Sequence, residues 1–151
     1  MKTVMKAARY ARLAHAGVTR AHGTPYFTHP KAVARILWKG GCRDTAMLAA
    51  AYLHDTVEDT DTTLEKLTAM FGPEVSGLVD ALTKRKGESF EDALARMLAT
   101  GGDRALRMKL ADREHNNSEL HHLPADHKIR EKAKAKTAAL MDAARAFHGA
   151  A

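Results

Sequence analysis

The stretch from about Asp44 to His54 constrains the fold more than any other part of this chain. Met47, Leu48, Ala51 and Tyr52 sit among further alanines, with no charge between its two ends. A helix that is apolar almost all round belongs at the centre of a domain, so other segments must cover it. Asp44 is a good N-cap for such a helix, because its carboxylate can take the free N–H groups of the first turn. The run ends on His54-Asp55, which places two ionisable groups at the edge of a core. There they need partners or a metal.

The remaining segments supply the cover. Val4, Ala7, Ala8, Ala11 and Ala14 recur at helical spacing before Gly17. Gly23 and Pro25 punctuate a loop over residues 17–28. Thr28 is then the expected N-cap of a second helix, with Pro30 near its first position and Gly40-Gly41 at its end. Thr62-Thr63-Leu64-Glu65 reads as a capping box for a fourth helix closed by Gly72-Pro73. Val75, Leu78, Val79 and Leu82 make the inner face of a fifth. Ser89 with Asp92 opens a sixth that Gly101-Gly102 should break, and Asp103 starts a seventh through Leu106 and Leu110 beyond Asp112. Ile129, Ala133, Thr137, Leu140, Ala144 and Phe147 form one stripe of the last helix. No segment alternates with period two long enough to argue a strand. The expectation is a single all-α domain over residues 1–151, a bundle of about seven or eight helices, with no internal repeat and no linker.

Composition narrows the class of function. At 151 residues the chain can bury one real core. No apolar stretch approaches the ~20 residues of a membrane span. The first residues lack the apolar core of a secretory signal, and the one cysteine, Cys42, excludes an internal disulfide. Both features fit the cytoplasm. The net charge of +6 implies an anionic partner. Two basic runs, Lys84-Arg85-Lys86 and Lys128, Arg130, Lys132, Lys134 and Lys136, lack aromatic residues for base stacking, so nucleic acid is not the expected partner. The second run reads as a solvated helix face.

Four residues of metal-ligating type recur in this setting. His29 begins the second helix, His54-Asp55 ends the third, and Asp112 lies on the seventh. Two imidazoles and two carboxylates suit a cation of the manganese, iron or zinc type, which lowers the pKa of a bound water. Glu58 and Asp59 follow one turn beyond His54 and are candidates for proton transfer. Asp112, His115 and Asn116 share one helical stripe. Arg20, Lys109 and Lys84 are candidates to hold phosphates, with ordinary ion pairing as the alternative for the two lysines. His15, His22, His121, His122, His127 and His148 are expected on surfaces or loops.

These stretches resemble a family. Ala14-His15-Ala16-Gly17, Pro25-Tyr26-Phe27-Thr28-His29-Pro30, Leu53-His54-Asp55-Thr56-Val57-Glu58-Asp59-Thr60, Phe71-Gly72-Pro73-Glu74-Val75, Leu82-Thr83-Lys84 and Lys109-Leu110-Ala111-Asp112-Arg113 occur in the order found in the hydrolase domain of the RelA/SpoT alarmone enzymes. The likeness is strongest to the free-standing small alarmone hydrolases. It implies an HD-domain fold and a manganese ion (Mn2+) held by His29, His54, Asp55 and Asp112, with Glu58 and Asp59 catalytic. It implies removal of 3′-pyrophosphate from guanosine tetra- or pentaphosphate, with no synthetase domain, and Asn116 at a nucleoside contact. The chain departs from the family at Ala21, Ser118 and Glu119, where recognition groups are altered. Alternatives are a phosphohydrolase of another nucleotide, such as an adenine alarmone or a 2′-phosphorylated dinucleotide, and a non-catalytic nucleotide-binding module.

Overall fold

In the computed structural model, which describes residues 1–150, Asp44 caps the central helix. Its Oδ1 accepts the N–H groups of Ala46 and Met47 at 2.9 and 3.0 Å. The elements run α1 (Lys2–Ala14), α2 (Thr28–Lys39), α3 (Thr45–Leu53), α4 (Thr56–Asp59), α5 (Leu64–Phe71), α6 (Pro73–Leu82), α7 (Phe90–Ser118), a 3₁₀ turn (Leu120–His122) and α8 (Lys128–Gly149). Among the described residues there is no strand, only an isolated bridge between Thr19 and Pro25. No helix is long and apolar enough to cross a membrane. The all-α reading of the sequence therefore holds.

Helix α3 is the axis of the bundle. Every residue from Ala46 to Ala51 is buried, as is Leu53, and α1, α2 and α6 pack around it. Ala49, Ala50 and Ala51 have no exposed surface, and neither do Ala7 and Ala11 of α1. Methyl side chains on both partners let these helices approach closely, which is how a core with few aromatics reaches native density. A second apolar cluster joins Ala81, Leu94, Met97, Ala105 and Leu106 to Leu140 and Ala144 of α8.

Three local details differ from the sequence reading. Thr28 lies inside α2 rather than capping it, and its hydroxyl donates to the Pro25 carbonyl at 2.8 Å. The cap of α5 is Thr63, whose hydroxyl accepts from Lys66 N–H, while Thr62 turns inward to Tyr10. The expected break at Gly101-Gly102 is a kink within α7: Gly102 takes φ 54°, ψ −145° and helical bonding resumes at once. Glycine tolerates that conformation, and Gly101 has no room for a side chain. A Cβ there would meet the Ala105 and Ala81 methyls at 2.3 and 3.0 Å. The kink aims the second half of α7 at the end of α3, where it presents Asp112.

Candidate metal centre

Helix α3 stops at Leu53, and the chain turns through His54 and Asp55 before restarting as α4. His54 is buried, and its Nδ1–H donates to the Ala51 carbonyl at 2.7 Å. That bond fixes the tautomer and leaves Nε2 bare. Nε2 is buried with no hydrogen-bond partner, and it lies 3.1 Å from Asp55 Oδ2 and 3.5 Å from Asp112 Oδ1. His29, in the first turn of α2, aims its own Nε2 at the same point, 3.0 Å from Asp112 Oδ1 and 3.5 Å from Asp55 Oδ2. Donor atoms of His29, His54 and Asp55 all lie within 4.8 Å of one another. Asp112 closes the set through its short approach to both imidazoles. A cation about 2.1 Å from each donor would space neighbouring donors by roughly 3.0–3.4 Å, so the arrangement fits a divalent ion.

The charges around this nest balance one another. Burial opposes the His54 imidazolium, but Asp55 and Asp112 raise its pKa well above the usual value of 6.5. Burial likewise opposes ionisation of the two carboxyls. For Asp55 the neighbouring His54 charge outweighs it. For Asp112 the Lys109 ammonium does so first, followed by the bond from His29. Both carboxylates are thereby held below their ordinary range, deprotonated and ready to bind a cation.

A second layer orients the donors. Tyr26 donates to Asp55 Oδ2 at 2.6 Å. Lys109 Nζ reaches Asp112 Oδ2 at 2.9 Å, and Asn116 Nδ2 reaches Asp112 Oδ1 at 3.0 Å. His115 shares a 2.8 Å bond with His29 through their Nδ1 atoms. Such partners fix ring orientation and ligand basicity. His15, expected on the surface, is instead buried, with its ring tilted over Tyr26 at 4.7 Å. Helix α1 ends against the nest, so the imidazole is enclosed, and burial lowers its pKa. Helical spacing in α1 gave no sign of this, because residue 15 lies just past the end of the helix.

Glu58 and Asp59 stand on α4 at the open side, where both remain accessible to solvent. Crowding by protein, then the charges of Asp55 and Glu58, raise the Asp59 pKa. Glu58 Oε1 accepts the backbone N–H of Lys84 at 2.5 Å. Lys84 thus meets the site by its main chain, and the residue lines two neighbouring hollows.

A cleft of about 410 Å³ opens beside the nest, lined at one end by Tyr26, Arg20 and Asn116. Arg20 is not a free cation there. Its Nε and Nη2 donate to Glu119 Oε2 at 2.8 and 2.5 Å, and Nη2 also donates to Asn116 Oδ1 at 2.9 Å. The structure brings His29, His54, Asp55 and Asp112 together, with Glu58 and Asp59 adjacent, and gives Lys109 and Arg20 carboxylate partners. It also brings Arg113, Lys132 and Lys136 to the cleft wall. The two lysines belong to the run that the sequence reads as a solvated face.

A family model described as HD domain matches residues 7–142. The chain belongs to the HD-domain family. Within it, this HD domain is 44% identical over 129 residues to a guanosine-3′,5′-bis(diphosphate) 3′-pyrophosphohydrolase of Vibrio cholerae, covering 80% of this chain and 18% of that protein. It is 42% identical over 137 residues to a probable GTP pyrophosphokinase of Mycobacterium leprae, covering 86% of this chain and 17% of that one. The HD domain thus spans less than a fifth of the length of these curated relatives. It also superposes on a solved structure described as a metazoan orthologue of SpoT that hydrolyses ppGpp. The TM-score is 0.81 at 29% identity, covering 96% of this chain and 86% of the other.

Proposed function

We propose that this domain is a metal-dependent 3′-pyrophosphohydrolase of guanosine 3′,5′-bis(diphosphate)-type alarmones, working in the cytoplasm as one unit over residues 1–151. The observation that carries this reading is the nest itself: a buried His54 Nε2 without a partner, facing His29 Nε2 and two carboxylates held ionised. His29, His54, Asp55 and Asp112 are the proposed ligands and manganese the proposed ion, since mixed imidazole and carboxylate donors suit it. The proposed substrate is the one acted on by the bacterial relative and by the metazoan structural neighbour.

A divalent ion in this nest supplies positive charge against a phosphoryl oxygen and a water of lowered pKa. The rest is done by the chain. Water oxygen bonds to the phosphorus next to the 3′ oxygen as that P–O bond breaks, releasing pyrophosphate. Asp59, whose pKa is raised by crowding and by the charges of Asp55 and Glu58, is the proposed acid that gives a proton to the departing 3′ oxygen. Glu58, fixed by the Lys84 N–H, is placed to accept the proton lost by the water. Tyr26 and Lys109 keep Asp55 and Asp112 in position while charge moves. Asn116 is the proposed nucleoside contact and Lys84 and Lys109 the proposed phosphate contacts, while Arg20 is held by Glu119.

A second reading, hydrolysis of a different phosphorylated nucleotide, draws support from Glu119, which places a carboxylate in the recognition cleft. One experiment separates them. Purified protein is incubated with manganese and a panel of guanosine and adenosine bis-phosphates, and products are resolved by chromatography. Pyrophosphate release from the guanosine compounds is expected, to be stopped by chelator and restored by manganese better than by magnesium. Cleavage confined to adenosine compounds would transfer the assignment to the second reading.

A further inference from the structure

Helix α6 ends at Leu82, and the carbonyls at its end run out of partners within the helix. Arg96, in the second turn of α7, brings its guanidinium to that end. Nη2 donates to the Thr83 carbonyl at 2.7 Å and Nη1 to the Asp80 carbonyl at 3.2 Å. A cation there also meets the negative end of the helix dipole. The same guanidinium grips Glu88 across the loop, with Nε 2.8 Å from Oε1 and Nη2 2.9 Å from Oε2. A bidentate pair of this kind fixes direction as well as distance. Glu88 then closes the loop: its Oε2 accepts the Arg85 N–H at 2.9 Å, and its own N–H donates to the Arg85 carbonyl at 3.1 Å. The bonds from Arg96 and from the Arg85 N–H pull the Glu88 pKa down to about 2, so the carboxylate stays ionised well into acid. The pair is shielded, with side chains 18% and 13% exposed, unlike the exposed Arg85–Asp80 pair beside it.

The loop that Arg96 holds carries a contact of the proposed site. Lys84 N–H donates to Glu58 Oε1 at 2.5 Å. Thr83 C=O and Lys84 N–H belong to one peptide group, so Arg96 grips the oxygen of the unit whose hydrogen holds Glu58. A trans peptide is planar, and its C=O and N–H point in opposite directions. Fixing one end therefore aims the other. A charged donor on the oxygen also polarises the unit and strengthens its N–H as a donor. Glu58 depends on that bond. It is exposed on the four-residue helix α4 and makes no other hydrogen bond and no ion pair among the described residues.

We propose that Arg96, braced by Glu88, is a positioning residue for hydrolysis: through the Thr83–Lys84 peptide it sets where the Glu58 carboxylate stands to take the proton of the attacking water. This rests on the hydrolase reading above. It extends that reading to a side chain that lines neither the cleft nor the donor nest. Arg96 touches no reacting atom and acts only through the loop.

The test is Arg96→Gln, with Glu88→Gln as a second variant that leaves α7 untouched and Arg145→Gln, which loses only an exposed pair, as control. Hydrolysis of guanosine 3′,5′-bis(diphosphate) with manganese is followed at steady state, beside bound manganese and the far-UV helical signal. Arg96→Gln should lower kcat about 10- to 100-fold, the range for a reacting group displaced by about 1 Å. KM and manganese content should change little, because the flexible Lys84 side chain can follow a phosphate from a shifted backbone and its N–H cannot. Glu88→Gln should show a smaller loss of the same kind, and the control should match the native protein. Arg96→Lys, a point charge in place of a fork, should restore only part of the rate. The deciding measurement repeats Arg96→Gln in a Glu58→Gln background. A positioning role predicts less than about twofold further loss there, because the group being aimed no longer takes a proton. The full loss recurring in that background would overturn the proposal, as would an unchanged kcat or a loss carried by KM or by metal. Should Arg96→Gln lose its helical signal, Glu88→Gln takes its place in each comparison. If the native protein does not hydrolyse the bis(diphosphate), the hydrolase reading fails on its own, and the tether is judged by hydrogen exchange. The Lys84 amide should then exchange about 10-fold faster or more in both variants, with the α3 amides unchanged, and equal exchange would sink it.

Discussion

The donor nest and the cleft beside it share helix α7 yet hold their charges in opposite ways. In the nest, His29, His54 and Asp112 are 1%, 4% and 5% exposed, and each charge is answered by another within hydrogen-bond reach. In the cleft, Lys132 and Lys136 are exposed and make no ion pair among the described residues. The nest is preorganised for a small cation, and its buried charges are stabilised by one another. The cleft wall is left incomplete by its own sequence and gains from an anionic ligand. On the proposed function, chemistry belongs to the first region and choice of ligand to the second.

The most severe way to break that division is to remove one donor. Asp55→Ala should reduce hydrolysis to background and lower the manganese retained after dialysis, while the far-UV helical signal persists, because Asp55 sits beyond the end of α3. Nucleotide analogues should still bind at the cleft. Full activity in a metal-replete Asp55→Ala protein would remove the nest from the mechanism altogether. A smaller but distinct effect is expected one turn further on. Asp59→Asn should keep its manganese and lose about 100-fold or more in kcat, as for loss of a general acid or base. Metal content falling in step with activity would instead make Asp59 a ligand.

Acidity tests the same boundary more gently. Protons and metal compete for His54 Nε2, and its pKa is raised above 6.5 by Asp55 and Asp112. Metal binds the deprotonated imidazole, so affinity should fall as pH drops through that raised value and level off only above it. The expected slope is roughly tenfold per pH unit for each proton displaced. Calorimetric titration with manganese across this range is the check, and a flat profile would mean the imidazole is not protonated in the metal-free protein.

The two regions were also unequally legible. The central helix, its Asp44 cap and the His54-Asp55 corner could be read from the sequence because each depends on neighbours within a turn or two. Ser89 behaves likewise, accepting Asp92 N–H at 3.0 Å as its position suggests. His15 could not, since its burial depends on where the end of α1 meets Tyr26, eleven residues on. Lys132 and Lys136 could not either. They are two of five basic residues at alternate positions, and only the docking of Ala133, Leu140 and Ala144 decides which of them faces the cleft. The Arg20–Glu119 pair joins residues 99 apart, so Arg20 read as an available phosphate binder when its charge was already taken.

That pair carries the smallest prediction, and the one that sharpens the comparison most. Glu119 belongs to the cleft by position but behaves like the nest, satisfying a cation internally. Its Oε1 also lies 3.3 Å from His115 Nε2, and His115 in turn bonds His29, so the carboxylate links the two regions. Glu119→Gln removes the negative charge yet keeps an oxygen for Arg20. The guanidinium is then freer to meet a phosphate, while its own positioning through Asn116 Oδ1 survives. The pair is partly buried, with side chains 13% and 18% exposed, so its loss should cost stability by about 1 kcal/mol or somewhat more, seen as a small drop in Tm. KM for guanosine 3′,5′-bis(diphosphate) should fall a few-fold with kcat nearly constant. If KM rises instead, Glu119 is a recognition group in its own right, and the cleft selects its nucleotide with a carboxylate as well as with the lysines of α8.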